Sequence, residues 1–186
     1  MSHITLITGG VRSGKSSLAE QRLATSPQVL YIATARCQDG EMARRIEHHR
    51  QSRPAHWITA EASRGLDRVL EAHPGGDILL DCVGNMVTNL MLDAEPDYDG
   101  LSMQRVEEIE GHIREEFARF IATVRRQGRR AVLVTGEVGQ GLVSPYRMGR
   151  VFADIVGRLN QTLAQEADEV VLMCCGLPLT LKSANA

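Results

Sequence analysis

The residues with the plainest chemistry form one run, Gly9-Gly10-Val11-Arg12-Ser13-Gly14-Lys15-Ser16. The run matches G-x-x-x-x-G-K-[ST] in full, and it lies between an apolar, β-rich segment and a helix-forming one, the setting this motif requires. Such a loop curls its backbone around phosphate oxygens and points its N–H groups at them, which glycines allow without side-chain obstruction. The helix that follows adds the positive end of its dipole. Lys15 is expected to bridge the outer phosphates, Ser16 to offer its hydroxyl to Mg2+, and Arg12 to add a charge within the loop. Loops of this kind work with an acid that closes a neighbouring apolar strand and holds the magnesium directly or through water. Asp81, at the end of Ile78-Leu79-Leu80, fits that role; the alternative is an acid that caps the next helix or closes a strand.

A second constellation is Arg45, His49 and Arg53, spaced four apart. If the helix there persists, the three lie along one face, beside Met42 and Ile46, while His48 points about 100° away. Two guanidiniums flanking an imidazole suit a histidine that attacks phosphorus, because arginines hold phosphate oxygens bidentately while the neutral ring presents a nitrogen. From spacing alone, a solvated basic helix face is the stronger reading.

The elements that must hold these groups alternate along the chain. Strands are expected at His3–Thr8, Gln28–Thr34, Trp57–Thr59, Asp77–Val83, Arg130–Thr135 and, as the last clear one, Glu169–Cys174. Helices are expected at Ser16–Ala24, Asp39–Gln51, Ala62–Ala72, from about Gly100 to about Gln127, and from about Tyr146 to Ala167. The second should stop before Arg53-Pro54, since a residue preceding proline is pushed out of the α region. The polar, acidic stretch Asp93–Gly100 is the best candidate for a mobile loop, and Gly136–Ser144 forms a Gly-rich loop. Such alternation implies right-handed crossovers and an α/β fold, a mostly parallel sheet with helices on both faces. No domain boundary interrupts it, so residues 1–186 are expected to form one nucleotide-binding domain.

Composition agrees with that picture. Of 186 residues 43% are hydrophobic and 24% charged, the mix of a globular protein. With 21 basic and 23 acidic side chains the net charge is -2, which gives no global footprint for nucleic acid or an anionic membrane, so any anion site is local. Cys37, Cys82, Cys174 and Cys175 show no zinc-like spacing, and the last three are expected to be small buried hydrophobes in or beside strands. The first residues run straight into a strand pattern and no apolar run is long enough to span a bilayer, from which a cytoplasmic protein without a membrane span is expected.

Taken in order, these residues resemble the bifunctional adenosylcobinamide kinase / adenosylcobinamide-phosphate guanylyltransferase family of cobalamin biosynthesis. The resemblance runs over nearly the whole chain: the Gly9–Ser16 loop, Tyr31-Ile32-Ala33-Thr34, Arg45-Ile46-Glu47-His48-His49-Arg50 with Arg53-Pro54, Trp57 with Thr59 and Glu61, Asp81-Cys82 with Thr88-Asn89-Leu90, Glu137-Val138-Gly139-Gln140-Gly141, Gly157-Arg158-Leu159-Asn160-Gln161, Ala167-Asp168-Glu169-Val170 and Gly176-Leu177-Pro178-Leu179. It implies a RecA-like P-loop fold with GTP and ATP as substrates. It also implies two reactions: phosphorylation of adenosylcobinamide by a nucleoside triphosphate, then transfer of GMP from GTP to adenosylcobinamide phosphate through a guanylylated histidine. The family's Arg-Ile-x-x-His pattern lands on His49, making it the implied nucleophile. Thr34, Arg53 and Glu61 become implied nucleotide contacts, the arginine to phosphate and the carboxylate to the guanine edge or ribose. The resemblance further suggests a homo-oligomer, a trimer. Two departures stand out: Gly84 and Gly136 replace a threonine and an asparagine found in many members. A simple P-loop kinase would need only the loop, Asp81 and a pocket, and a nucleotide-sensing module would release no product; a covalent GMP adduct separates both from the bifunctional transferase.

Overall fold

The structure, a computed structural model, describes residues 2–36, 40 and 54–183. Seven strands, β1 (His3–Gly9), β2 (Val29–Ala33), β3 (Ile58–Glu61), β4 (Asp77–Asp81), β5 (Arg130–Val134), β6 (Glu169–Cys174) and β7 (Leu177–Lys182), form one sheet in the order β3-β2-β4-β5-β1-β6-β7. All neighbours are parallel except β6 and β7. The described helices are α1 (Lys15–Leu23), α2 (Leu66–Ala72), α3 (Val83–Ala94), α4 (Met103–Gln127) and α5 (Arg147–Glu166).

The strands are apolar on both faces because both are covered, as parallel sheets require. Their period-2 alternation divides the core. Ile4, Leu6, Leu30, Ile32, Ile78, Leu80, Ala131 and Leu133 point into a large cluster beneath α2 to α5. Ile7, Val29, Tyr31, Leu79, Val132 and Val134 point the other way, into a smaller cluster closed by Ala19 and Leu23 of α1 and by Trp57. Parity therefore puts Asp81, two residues after Leu79, on the face that α1 covers.

Four expectations need correction. The strand read as Asp77–Val83 ends at Asp81, and Val83 already begins a helix running to Ala94. Cys82 caps that helix: its Sγ accepts from the Asn85 N–H at 3.5 Å and its carbonyl from Met86 N–H at 3.2 Å. A seventh strand follows Cys174, because Cys175 and Gly176 both have positive φ (51° and 82°) and turn the chain back in the two-residue hairpin such angles favour. The Asp93–Gly100 stretch is pinned: Tyr98 is buried and donates to the Met91 carbonyl, and Arg147 donates to the carbonyls of Tyr98, Asp99 and Leu101. Cys174 and Cys175 are exposed, and Cys82 is half-buried.

Elsewhere polar side chains replace missing backbone partners. Gly65, at the N-terminus of α2, has no side chain to cap it, and buried Glu116 of α4 accepts the Leu66 N–H at 3.1 Å instead.

Candidate functional site

In a parallel sheet the strands deliver their C-terminal ends to one edge, where ligands of open α/β sheets bind. Four ends meet there. The loop after β1 carries Gly9–Ser16, β2 ends beside Thr34, β4 ends on Asp81, and β5 leads through Thr135 to Gly136 and Glu137. Backbone bonds tie them together: Thr34 N–H to the Asp81 carbonyl at 3.2 Å, Thr135 N–H to the Ile7 carbonyl at 2.9 Å, and Glu137 N–H to the Gly9 carbonyl at 3.0 Å.

The loop has the backbone its glycines permit. Gly9 and Gly14 take φ of 145° and 96°, and Arg12 also has positive φ, 56°. A Cβ added to Gly9 would lie 2.4 Å from the Met173 carbonyl oxygen and 2.9 Å from Ser13 Oγ, so no side chain fits there. Ser13 is buried, and its Oγ has no hydrogen-bond partner among the described residues. Val11 is exposed at the loop's tip. Lys15 folds back over its own loop, its Nζ donating to the Gly10 carbonyl at 2.6 Å. Partial burial lowers the Lys15 pKa, while the nearby Cys82 and Asp81 act in the opposite sense. The parallel sheet thus puts the lysine of the loop and the acid of the strand at one edge. Ser16, the next residue, is half-buried at the start of α1.

Asp81 is positioned by Tyr31 on the same face of the sheet, whose hydroxyl donates to Asp81 Oδ2 at 2.8 Å. Its neighbour Cys82, joined to it by a cis peptide bond, is a neutral thiol at neutral pH, since burial and then the Asp81 charge push its thiol up to about 11. Thr34 is buried, and its hydroxyl is used at both ends: it accepts from Cys82 N–H at 2.8 Å and donates to the Cys82 carbonyl at 2.7 Å. Buried Asn89 of α3 holds the Thr34 carbonyl at 2.7 Å. Thr34 thus locks β2 to the end of β4. Glu61 is exposed at the end of β3, opposite Ala33 of β2. His49, Arg45, Arg53 and His48 lie outside the described residues, as does Cys37.

Neither departure glycine is demanded by space. A Cβ on Gly84 would touch only Phe152 at 3.9 Å, and one on Gly136 only Val138 at 3.8 Å. Asn160 of α5 secures this edge, donating to the Gly136 carbonyl at 3.0 Å and accepting from Thr135 at 2.7 Å. Tyr31, Asn89 and Asn160 were not singled out as site residues from sequence, because their partners lie between 24 and 55 positions away.

Oxygen donors suited to a hard cation are present in Ser16 and Asp81. Among the described residues no group of three or more His, Cys, Asp or Glu could hold a metal by itself. An ion here would complete its shell with phosphate oxygens and water, which is magnesium's habit with nucleotides.

A phosphate loop after β1, an acid at the end of β4 and a mostly parallel seven-stranded sheet define a nucleotide-dependent enzyme of the RecA-like P-loop class. The fold is similar to that of an ATPase from the type III secretion system of pathogenic bacteria, at a TM-score of 0.51 and 12% identity, over 96% of this chain and 56% of that one. The chain belongs to the cobinamide kinase / cobinamide phosphate guanyltransferase family, which matches residues 5–181. It is 47% identical over 184 residues to the bifunctional adenosylcobalamin biosynthesis protein CobU of Salmonella typhimurium, covering 95% of this chain and 98% of that protein. To the bifunctional adenosylcobalamin biosynthesis protein CobP of Pseudomonas aeruginosa it is 39% identical over 180 residues, covering 95% and 96%. The chain is a kinase and guanylyltransferase of cobinamide.

Proposed function

We propose that both reactions are run from the sheet edge where Lys15 and Asp81 converge, with His49 as the covalent carrier of GMP. In the first, the hydroxyl of adenosylcobinamide's aminopropanol arm attacks the γ-phosphorus of ATP or GTP, and nucleoside diphosphate leaves. In the second, a neutral His49 ring nitrogen attacks the α-phosphorus of GTP, the bond to the β-phosphate breaks, and pyrophosphate leaves. The phosphate of adenosylcobinamide phosphate then attacks the resulting phosphoramidate, yielding adenosylcobinamide-GDP and restoring the ring.

The observation that carries this reading is the glycine-lined loop after β1, with Lys15 folded over it onto the Gly10 carbonyl, at the same sheet edge as Asp81 at the end of β4. Backbone N–H groups of Gly9, Gly10, Val11, Arg12, Ser13 and Gly14 cradle the phosphates, and Lys15 neutralises charge that develops on them. Ser16 and Asp81 would hold Mg2+, which when bound screens the phosphate charge. Arg53 and Glu61 serve nucleotide contacts, to phosphate and to guanine or ribose, while Thr34 acts by positioning β2 against Cys82. We further place the enzyme in the cytoplasm as one domain, 1–186; no described helix is long and apolar enough to cross a membrane. A homo-oligomer is supported by the edge strand β7, where alternation puts Leu177, Leu179 and Leu181 on one face, 71%, 56% and 58% exposed; that it is a trimer rests on the family resemblance alone.

The test is intact-mass measurement after exposure to GTP and Mg2+ without acceptor. The wild type and His48→Asn should gain a GMP adduct that is lost in acid and survives alkali. His49→Asn should gain none while keeping the kinase step. Formation should fail as the ring is protonated, near or below about pH 6.5. An adduct that persists in His49→Asn, or maps to His48, refutes the assignment.

A further inference from the structure

Two adjacent thiols that this chemistry does not use sit at the turn joining β6 to β7. Cys174 ends β6, and Cys175 is the first residue of the turn, at a φ of 51° that residues other than glycine rarely adopt. Both are exposed, and their sulfurs are 3.9 Å apart, with Cys174 Sγ donating to Cys175 Sγ. Extended backbone at one residue followed by left-handed backbone at the next has brought the two side chains together, where a regular strand would send them to opposite faces.

The turn is a bonded neighbour of the phosphate loop. Gly176 N–H, directly after the thiols, donates to the Ser13 carbonyl at 3.2 Å. Met173, directly before them, closes both glycine ends of the loop: its carbonyl oxygen is 2.4 Å, and its Cε 3.3 Å, from where Cβ atoms on Gly9 and Gly14 would stand. The Gly176 Cα is likewise 3.6 Å from the Gly14 position. The peptide units that must point at phosphate are thus braced by residues on either side of the thiol pair.

We propose that Cys174 and Cys175 are a modification site, a vicinal dithiol that a low-molecular-weight disulfide oxidises to an intramolecular disulfide, and that closing this ring weakens nucleotide binding at the phosphate loop. The Cys175 thiolate attacks one sulfur of the reagent, the reagent's S–S bond breaks, and one thiol leaves. Cys174 then attacks the Cys175 sulfur of the mixed disulfide and expels the second thiol, so two protein thiols and one disulfide give one protein disulfide and two small thiols. The order follows from the hydrogen bond Cys174 donates to Cys175, which keeps the Cys174 thiol above its ordinary range and leaves Cys175 to attack first. Closure draws the sulfurs from 3.9 Å to about 2.05 Å. That movement turns the Cys174–Cys175 peptide, carries Gly176 N–H away from Ser13 and removes one brace from the loop.

The inference rests on the loop holding nucleotide, and GDP is the probe because it occupies the cradle without a γ-phosphate to transfer. The full-length protein is treated with glutathione disulfide, and the peptide containing Cys174 and Cys175 is weighed alongside a GDP binding titration. That peptide should lose two hydrogens, about 2 Da, and the GDP Kd should rise about fivefold, the scale set by one lost hydrogen bond; dithiothreitol should reverse both. Cys174→Ser and Cys175→Asn, the latter chosen because asparagine tolerates left-handed backbone, should each bind GDP like the reduced wild type before treatment, and neither should lose the two hydrogens, Cys174→Ser stopping at a mixed disulfide on Cys175. A mixed disulfide that never closes, a Kd unchanged by ring closure, or sensitivity that persists in the double variant overturns the inference. Absence of GDP binding to the reduced protein instead removes the phosphate-loop reading, and this inference with it.

Discussion

Asp81 shows how one side chain acquires its place. Its carboxylate stands at the end of an apolar strand, on the α1 face by parity, fixed by the Tyr31 hydroxyl and close enough to Lys15 to support that ammonium's charge. Asp81→Asn keeps the size and the bond to Tyr31 but removes the anion, so kcat is expected to fall about 100-fold with no gain from added magnesium. Tyr31→Phe leaves the anion and removes only its orientation; a loss of about tenfold, partly recovered at high magnesium, is expected. Steady-state kinetics across a magnesium titration checks both, and an Asp81→Asn enzyme that saturates to wild-type rate would make Asp81 a structural residue.

At the scale of elements, the phosphate loop is shaped as much by β6 as by its own sequence. Gly9 has a φ of 145°, and a Cβ there meets the backbone carbonyl of Met173 at 2.4 Å, which no side-chain rotation relieves; next to it, a Cβ on Gly10 meets nothing within 4 Å. Gly9→Ala should therefore cost at least about 2 kcal/mol of stability, and Gly10→Ala within about 0.5 kcal/mol of none. Urea unfolding of the two variants measures this, and equal costs would show that the loop yields more than its packing indicates. The loop's strand-to-helix context was plain in the sequence, as were the alternation that builds the sheet and the acid ending β4. What escaped reading depends on contacts distant in sequence. No glycine or proline separates β4 from α3 in Asp77–Val83, and apolar Cys82 and Val83 follow Asp81, so the start of the helix reads on as strand. The acidic composition of Asp93–Gly100 suggests freedom, yet Arg147, more than forty positions on, holds three of its neighbouring carbonyls. The leucine alternation that makes β7 was present but crossed by Pro178, and the exposure of Cys174 and Cys175 follows only once that hairpin turns.

For the whole molecule, the sheet is polarised: nucleotide chemistry at the C-terminal edge, charge-based fastening at the other. There Asp168 accepts the Ile4 N–H at 2.7 Å and Arg125 at 2.8 and 3.2 Å, binding the start of β1 to β6 and α4. Glu169 accepts from Arg22 of α1 and from Thr5 of β1. Arg22 holds the Glu169 pKa below its ordinary value despite opposing burial. For Asp168 burial is the largest influence and acts upward, but Arg125 and the Ile4 N–H outweigh it and the net shift is downward. A carboxyl whose pKa is lower folded than unfolded stabilises the fold above its unfolded value, about 4, and loses that contribution as pH falls through the folded value. Unfolding free energy should accordingly be flat with respect to these two groups above about pH 5.5 and decline below about pH 4.5. Arg125→Ala removes one fastener while leaving the Ile4 bond, and at pH 7 should cost about 1 kcal/mol, the pair being partly exposed. At pH 3 that difference should shrink towards zero, because Asp168 is then increasingly protonated and has less charge to offer in either protein. Nucleotide KM should stay at the wild-type value, since the substitution lies at the opposite edge. Urea titrations of both proteins at the two pH values decide it: an undiminished gap at pH 3 would mean that Arg125 stabilises through packing or its bond to the Glu166 carbonyl, and not through the Asp168 charge.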